Sequence, residues 1–219
     1  MPARLRPTAP IATDAILVGD PGRALLLAQE LLAQPKMSNH ARGLWGYSGR
    51  TEAGHELTIQ STGMGGPSAA VVLHDLAELG VRRAVRIGTC VALDEQSALG
   101  ELVVVREAHH LGEPERVAVP DPELTATLAG HLRTSARQGA VASLDSLHRP
   151  WLEQRPPAGE VADMQTATLL DRGEQLGISL AAVLVVGEAA DRRELEEERL
   201  EDLAKQAGAA AAAALSPSS

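Results

Sequence analysis

Four short stretches of this chain hold groups that could bind or transform a small molecule: GDPGR (19–23), STGMGG (61–66), RIGTC (86–90) and GEAAD (187–191). Each ends an apolar run, and in parallel α/β sheets ligands collect beyond the carboxyl ends of the strands. Together they carry glycines, two arginines, two threonines, a methionine and carboxylates, the make-up of a small-molecule site with an anion subsite. In GDPGR, Gly19 and Gly22 let the backbone turn tightly, and Arg23 falls at the start of a helix. Helix N-termini favour anions through free amides and the helix dipole, and an arginine there adds paired donors. An ordinary β–α turn with a surface arginine explains the same five residues equally well.

Arg86 is more informative because it interrupts AVRIG, which otherwise reads as a buried parallel strand. A buried charge is costly unless paired, so Arg86 meets either a buried carboxylate or a ligand that brings negative charge. Thr89 could add a hydroxyl to the same anion. Cys90 has no paired histidine and reads as a small buried residue rather than a nucleophile. His109 and His110 lack ligand spacing, and no metal site is expected. The glycine-rich stretch STGMGGPSAA looks like a dinucleotide cradle but fails the fingerprint: Ser68 stands where the third glycine belongs, and no acid closes the next strand. Nor does it contain the Gly-Lys-Ser/Thr of a phosphate-binding P-loop.

The elements that must position these residues alternate between strand and helix, the pattern of an α/β protein. Strands are predicted at 15–19, 55–62, 82–88, 100–107, 138–144 and 179–187, with WGYSG (45–49) forming a hairpin with the second. Helices are predicted over 22–33, 67–79, 121–137, 165–176 and about 194–215. Pro67 in a first turn, Val72, Leu76 and Leu79 on one face, and Gly80 at the end mark one of them clearly. The 219 residues suit one large domain or two small ones, and with no linker evident the whole of 1–219 reads as a single domain. The ends, 1–13 and 209–219, read as loose, as does HHLGEPERVAVPDP (109–122). The run DRRELEEERLED (191–202) reads as a solvated helix face, with a lid over the site as the alternative.

Composition narrows the function classes. A net charge of −9 argues against a general nucleic-acid binder, which needs a basic face. Trp45, Tyr47 and Trp151 are the only Trp, Tyr or Phe residues, so rings to stack on a base are scarce. A single cysteine excludes an internal disulfide and fits a reducing compartment. No stretch is long and apolar enough to span a membrane, and MPARLRPTAP lacks the apolar core of a signal peptide, so a cytoplasmic location is expected.

Taken in order, GDPGR, RGLWGYSG, STGMGGPSAA and VRIGT resemble the hexameric, trimer-of-dimers nucleoside phosphorylases, that is, the bacterial purine nucleoside and uridine phosphorylases. The resemblance is strong over roughly 14–108, weak over 109–158 and partial over 159–199. It implies a central mixed sheet flanked by helices in an α/β/α sandwich, and phosphorolysis of a nucleoside to free base and pentose 1-phosphate. No cofactor is implied, only inorganic phosphate as co-substrate. Two subunits would complete each site, and three dimers would form a hexamer; nucleic acid and membrane are not implied partners. By position, Gly19, Arg23, Arg86 and Thr89 resemble the phosphate clamp, and Arg42 the arginine lent by a neighbouring subunit. Met64, Met164 and Gln165 fall on the sugar side, and Cys90, Leu147, Gly187 and Glu188 on the base side, with His148 next to Leu147. Arg86 and Glu188 carry the catalytic assignments, Glu188 as the acid that protonates the leaving base.

Departures from the pattern are specific. Gln165 stands where the family has a glutamate that grips sugar hydroxyls, and Gly187-Glu188 stand where the purine enzymes have Ser-Asp. The Gln and Arg that read uracil, the stacking aromatic and an N-terminal histidine are not found. The resemblance thus implies a purine-type phosphorylase with atypical substrate preference. The alternatives are a non-catalytic or weakly active relative that binds phosphate or nucleoside, a uridine phosphorylase, and a nucleoside hydrolase. The hydrolase is disfavoured because water as nucleophile needs no arginine clamp.

Overall fold

Apolar residues alternate along the strands and so divide the core between two faces of one sheet. In β1 (Asp14–Val18), Ile16 and Val18 join one buried cluster while Ala15 and Leu17 join the other. The computed structural model describes residues 4–110, 116–133, 135–148 and 158–216. Along the chain follow α1 (Pro21–Leu31), β2 (Ala33–Asn39), a 3₁₀ turn (Ala41–Gly43), β3 (Gly46–Arg50), β4 (Glu56–Ser61) and α2 (Gly65–Glu78). Then come β5 (Arg83–Ala92), β6 (Leu102–His110), β7 (Arg116–Ala118), α3 (Pro122–His131), β8 (Ala136–Ser143), β9 (Val161–Asp163), α4 (Thr166–Leu176), β10 (Ser179–Glu188) and α5 (Glu197–Leu215). Helices α1, α3 and α5 cover the Ile16 face through Leu27, Leu128 and Ala207, and α2 and α4 cover the Leu17 face through Leu73 and Leu169. This is the α/β pattern that the strand–helix alternation predicts and the mixed sheet flanked by helices that the resemblance implies.

The sheet does more than lie flat between helices. β5 pairs with β10, β10 with β6, β6 with β8, β8 with β9 and β9 back with β5, so five strands close a ring. From this ring β1, β4, β3 and β2 continue outward in that order, with β3 and β4 forming the expected antiparallel hairpin. β2, the last strand, pairs with β3 across two register breaks. Its outer side meets the N-terminal segment: Thr8 N donates to Ser38 O at 2.8 Å and Thr8 Oγ1 to Met37 O at 2.9 Å.

Several expectations are corrected. The helix predicted to 33 stops at Leu31 because the next residues form β2, and the helix predicted to 137 stops at His131 because β8 begins at Ala136. Strands β2, β7 and β9 carry no legible alternation, the first being polar with a proline and the others only three residues long. His109 and His110 close β6 and pair with Val117 and Arg116 of β7, so the described part of 109–122 is ordered; residues 111–115 lie outside the description. Of the ends expected to be loose, Leu5 is only 2% exposed, and Arg4 N and Leu5 N donate to Asp75 Oδ2 at 2.6 and 2.7 Å. At the other end Ala211 and Leu215 are buried, since small side chains let α5 lie close on α1; a β-carbon at Gly208 would sit 2.8 Å from Leu27. The acidic run 191–202 is largely exposed, as a solvated face requires. Among the described residues no helix is long and apolar enough to cross a membrane.

Candidate active site

β1, β4 and β5 run parallel, and β1 and β4 both end level with the middle of β5, Val18 lying opposite both Ser61 and Ile87, while β5 continues to Ala92. The chain leaves the sheet at Gly19 and Thr62, and a cleft of about 380 Å³ opens there against Arg86, Gly88 and Thr89 of β5. Its walls include Gly19 and Arg23 after β1, Met64 after β4, Arg86 and Thr89 of β5, and Leu147, Met164 and Gln165 from the second half of the chain. Eight of the residues selected from sequence thus share one cavity, although the first and last are separated by more than half the chain. Met64 is 81% exposed between two glycines of positive φ, Gly63 and Gly65, an uncommon position for so apolar a side chain.

The GDPGR turn is built as a helix cap. Asp20 Oδ1 accepts from Arg23 N at 2.8 Å, Pro21 opens α1, and Ala24 N donates to Asp20 O at 3.1 Å. Burial pulls the Arg23 guanidinium below its ordinary pKa and nearby Arg86 adds to this, while Asp20 and Glu197 oppose it. An anion in the cleft would relieve the first two effects together. Arg42 is exposed, with φ of 61° in the 3₁₀ turn, and lies outside the cleft of its own chain. Buried amides hold the loop that carries it: Asn39 Nδ2 donates to Leu44 O at 2.5 Å, and Gln60 Nε2 to the same oxygen at 3.0 Å.

Arg86 resolves the choice posed by its position in a buried strand, for it meets a carboxylate. It faces the α2/α4 side, where its strand partners Leu17 and Ala182 also point. Its Nη2 donates to Asp163 Oδ2 at 2.8 Å, Nε to Thr166 Oγ1 at 2.9 Å and Nη1 to Gln165 Oε1 at 2.8 Å. Asp163 is 1% exposed and also accepts from Ser143 Oγ, Thr166 N and Thr166 Oγ1. A β-carbon at Gly88 would lie 2.6 Å from Arg86 Nη2, so the guanidinium packs against bare backbone. Gln165 lines the cleft, but its amide is bonded to protein on both sides: Oε1 accepts from Thr62 Oγ1 as well as Arg86, and Nε2 donates to Gly63 O and Gly65 O.

Three residues expected at the base end, Cys90, Gly187 and Glu188, do not border the cleft. Cys90 lies on the same strand face as Arg86 and is packed in the α2/α4 core, its Sγ 3.5 Å from Val185 O; burial pushes its thiol pKa far up. Gly187 sits beside Thr89 but at a break in register between Val186 and Glu188. Glu188 is carried past the cleft, opposite Val91 and bridged to Glu194, in a turn closed by Leu195 N donating to Gly187 O at 2.9 Å. His148 is exposed next to Leu147, and 149–157 lie outside the description. Among the described residues no three His, Cys, Asp or Glu side chains gather as metal ligands would.

This architecture has known counterparts. The model of the phosphorylase superfamily matches residues 13–217. The chain belongs to the phosphorylase superfamily. A DeoD-type purine nucleoside phosphorylase of Streptococcus suis is 29% identical over 196 residues, covering 82% of each chain. One from Oceanobacillus iheyensis is 35% identical over 99 residues, 45% of this chain and 42% of its own. A crystal structure of purine nucleoside phosphorylase from Toxoplasma gondii, in complex with immucillin-H, superimposes with a TM-score of 0.80 at 19% identity, over 93% of this chain and 90% of that one. At that identity the likeness is one of fold.

In this superfamily member the sequence reading missed the groups that brace the cleft. Asp20 carried a signal, an acid followed by proline just before a helix. Thr62, Ser143, Asp163 and Thr166 carried none, since they matter only through partners brought together by the fold, such as Arg86 and Asp163, 77 positions apart. A larger groove of about 490 Å³ lies between residues 9–12 and strands β2 and β3, and shares no lining residue with the cleft.

Proposed function

We propose that this chain is a nucleoside phosphorylase of purine type with an atypical substrate preference. Inorganic phosphate attacks the anomeric carbon; the new C–O bond forms as the C–N bond to the base breaks, and that electron pair leaves with the base. The observation that carries this reading is the meeting of Arg23, the capped start of α1, Arg86 and Thr89 with two methionines in one cleft at the strand ends. Cationic donors on one side suit a phosphate, and apolar Met64 and Met164 on the other suit the face of a sugar. Holding phosphate in line with the anomeric carbon supplies orientation, and clamp charges stabilise what develops as the bond breaks.

Arg42, exposed and outside its own cleft, would complete the clamp of a second copy, so the working unit in this reading is a dimer with shared sites, assembled further into a hexamer. Glu188 is the candidate proton donor to the leaving base, and reaching it requires the 187–195 turn to move toward the cleft. A lone, buried, unpaired Cys90 fits a reducing cytoplasm. A second reading, binding without turnover, is favoured by one observation: Glu188 is not a wall of the cleft.

The test is a panel of purine and pyrimidine nucleosides with and without phosphate, following free base and pentose 1-phosphate. Purine nucleosides should turn over only with phosphate, and Arg23→Ala should raise the phosphate KM by about ten-fold or more, the cost of one charged hydrogen-bonding group. Turnover indifferent to phosphate would refute the clamp, and tight binding without turnover would favour the second reading.

A further inference from the structure

The most fully bonded side chain at the cleft is an amide. Gln165 is 3% exposed; its Oε1 lies 2.8 Å from Arg86 Nη1 and 3.0 Å from Thr62 Oγ1, and its Nε2 lies 2.6 Å from Gly63 O and 3.3 Å from Gly65 O. A carboxamide has two acceptor sites and two N–H groups, and all four have a partner within the protein, the single Thr62 hydroxyl proton being shared between Gln165 Oε1 and Val18 O, each at 3.0 Å. The flip of the amide is fixed by its surroundings, with two donors on one side and two carbonyls on the other. Those carbonyls belong to a turn with φ of +72° at Gly63 and +80° at Gly65, which carries the exposed Met64 and leads into α2. Among the described residues, apart from Ser68 Oγ, which donates to Thr62 O at 2.7 Å, the side-chain hydrogen bonds to backbone of residues 62–65 come from Gln165.

We propose that Gln165 is a positioning residue: its amide locks the Gly63–Gly65 turn, with Met64 and the start of α2, to Arg86, and it takes no hydroxyl of a bound sugar. This rests on the phosphorolytic reading of the cleft. It also accounts for an amide, not an acid, at this position. A glutamate would still accept from Arg86 and Thr62, but it would turn lone pairs toward the carbonyls of Gly63 and Gly65 in place of two N–H groups. Gln165→Glu therefore loosens the turn instead of improving the grip on sugar.

The experiment uses the full chain with Gln165→Glu, Gln165→Met and the milder Thr62→Val, which removes one donor to Oε1. Three quantities are read: the phosphate KM beside the nucleoside KM, the ratio of kcat/KM for a ribonucleoside and its 2′-deoxy counterpart, and amide hydrogen exchange across 62–68. Both Gln165 variants should raise the phosphate KM by about ten-fold, Gln165→Met by freeing Arg86 and Gln165→Glu by setting a carboxylate against it that competes with phosphate, with a smaller change in the nucleoside KM. Exchange across 62–68 should quicken by about ten-fold relative to the α5 amides, and the Thr62 variant should fall between. The ribo-to-deoxy ratio should stay within about two-fold of the parent, because no hydroxyl contact is lost. A ratio shifted about ten-fold toward the deoxynucleoside, or a gain in ribonucleoside turnover for Gln165→Glu, would overturn the proposal by placing the side chain on the sugar. Unchanged exchange across 62–68 would overturn it as well. If the parent protein turned over no nucleoside, the phosphorolytic reading would fall, and exchange would still decide whether Gln165 locks the turn.

Discussion

Replacing Asp163 with asparagine removes the countercharge of Arg86 with little change of shape. The carboxylate is fully buried and the guanidinium nearly so, with 2.8 Å between Oδ2 and Nη2. Stripping one partner from such a pair costs about 3–5 kcal/mol because the other charge is left buried and uncompensated. The upper part of that range applies here, since the two carboxylate oxygens together receive Arg86 Nη2, Ser143 Oγ, Thr166 N and Thr166 Oγ1. Asparagine would turn an NH2 group toward some of these donors. For a chain of this size each kcal/mol lowers Tm by about 2–4 °C, so at a cost of about 4–5 kcal/mol Asp163→Asn should melt roughly 8–20 °C below the parent. The stranded charge gives the experiment a second arm. A divalent anion entering the cleft can replace the missing carboxylate, so phosphate should raise the Tm of the variant more than that of the parent, by the usual linkage to occupancy. Calorimetry with phosphate, and with chloride at matched ionic strength, measures both effects. A variant within about 2 °C of the parent would refute the buried-pair reasoning. An equal phosphate increment in both proteins would mean that Arg86 does not sense the cleft.

Two other outcomes follow from the geometry. If Arg42 serves the cleft of a second copy, Arg42→Ala and Arg23→Ala should each impair phosphate-dependent activity, yet their co-expressed mixture should recover about a quarter of parental sites, those pairing an intact Arg23 with an intact Arg42; no recovery would place Arg42 elsewhere. Cys90, its thiol pKa raised by burial, stays protonated through neutral and mildly alkaline pH, so a thiol reagent at pH 8 should label it only as fast as the chain unfolds, and at once in urea; rapid labelling of the native protein would contradict its packing.

What the sequence made legible is what depends on local pattern. Ile16 and Val18 against Ala15 and Leu17 announce a strand buried on both sides, and Pro67 and Gly80 bracket α2 because one suits a first helical turn and the other takes φ of +103°. β2 was not legible because Gln34, Pro35, Lys36 and Ser38 carry no strand pattern, and only pairing to β3 makes them one. At the site, Arg86 declared itself as a charge needing a partner, but choosing Asp163 over a ligand required the fold that sets β9 beside β5. Gln165 read as a carboxylate replaced, and its saturation by two glycine carbonyls is invisible until the Gly63–Gly65 turn is formed. Glu188 stands beyond a break in register after Val186 and does not line the cleft, and no periodicity encodes such a break.

The outermost strand bears on how the edge of this sheet is guarded. Strand edges invite foreign strands and so seed aggregates, and closing five strands into a ring leaves β2 as a free flank of the described sheet. A chain laid along it would find no N–H at Pro35, a charge at Lys36, and the carbonyls of Met37 and Ser38 already taken by Thr8. The N-terminal segment therefore acts as a guard rail on the sheet. Removing it would take away no residue that lines the cleft and would expose the flank to pairing with another chain.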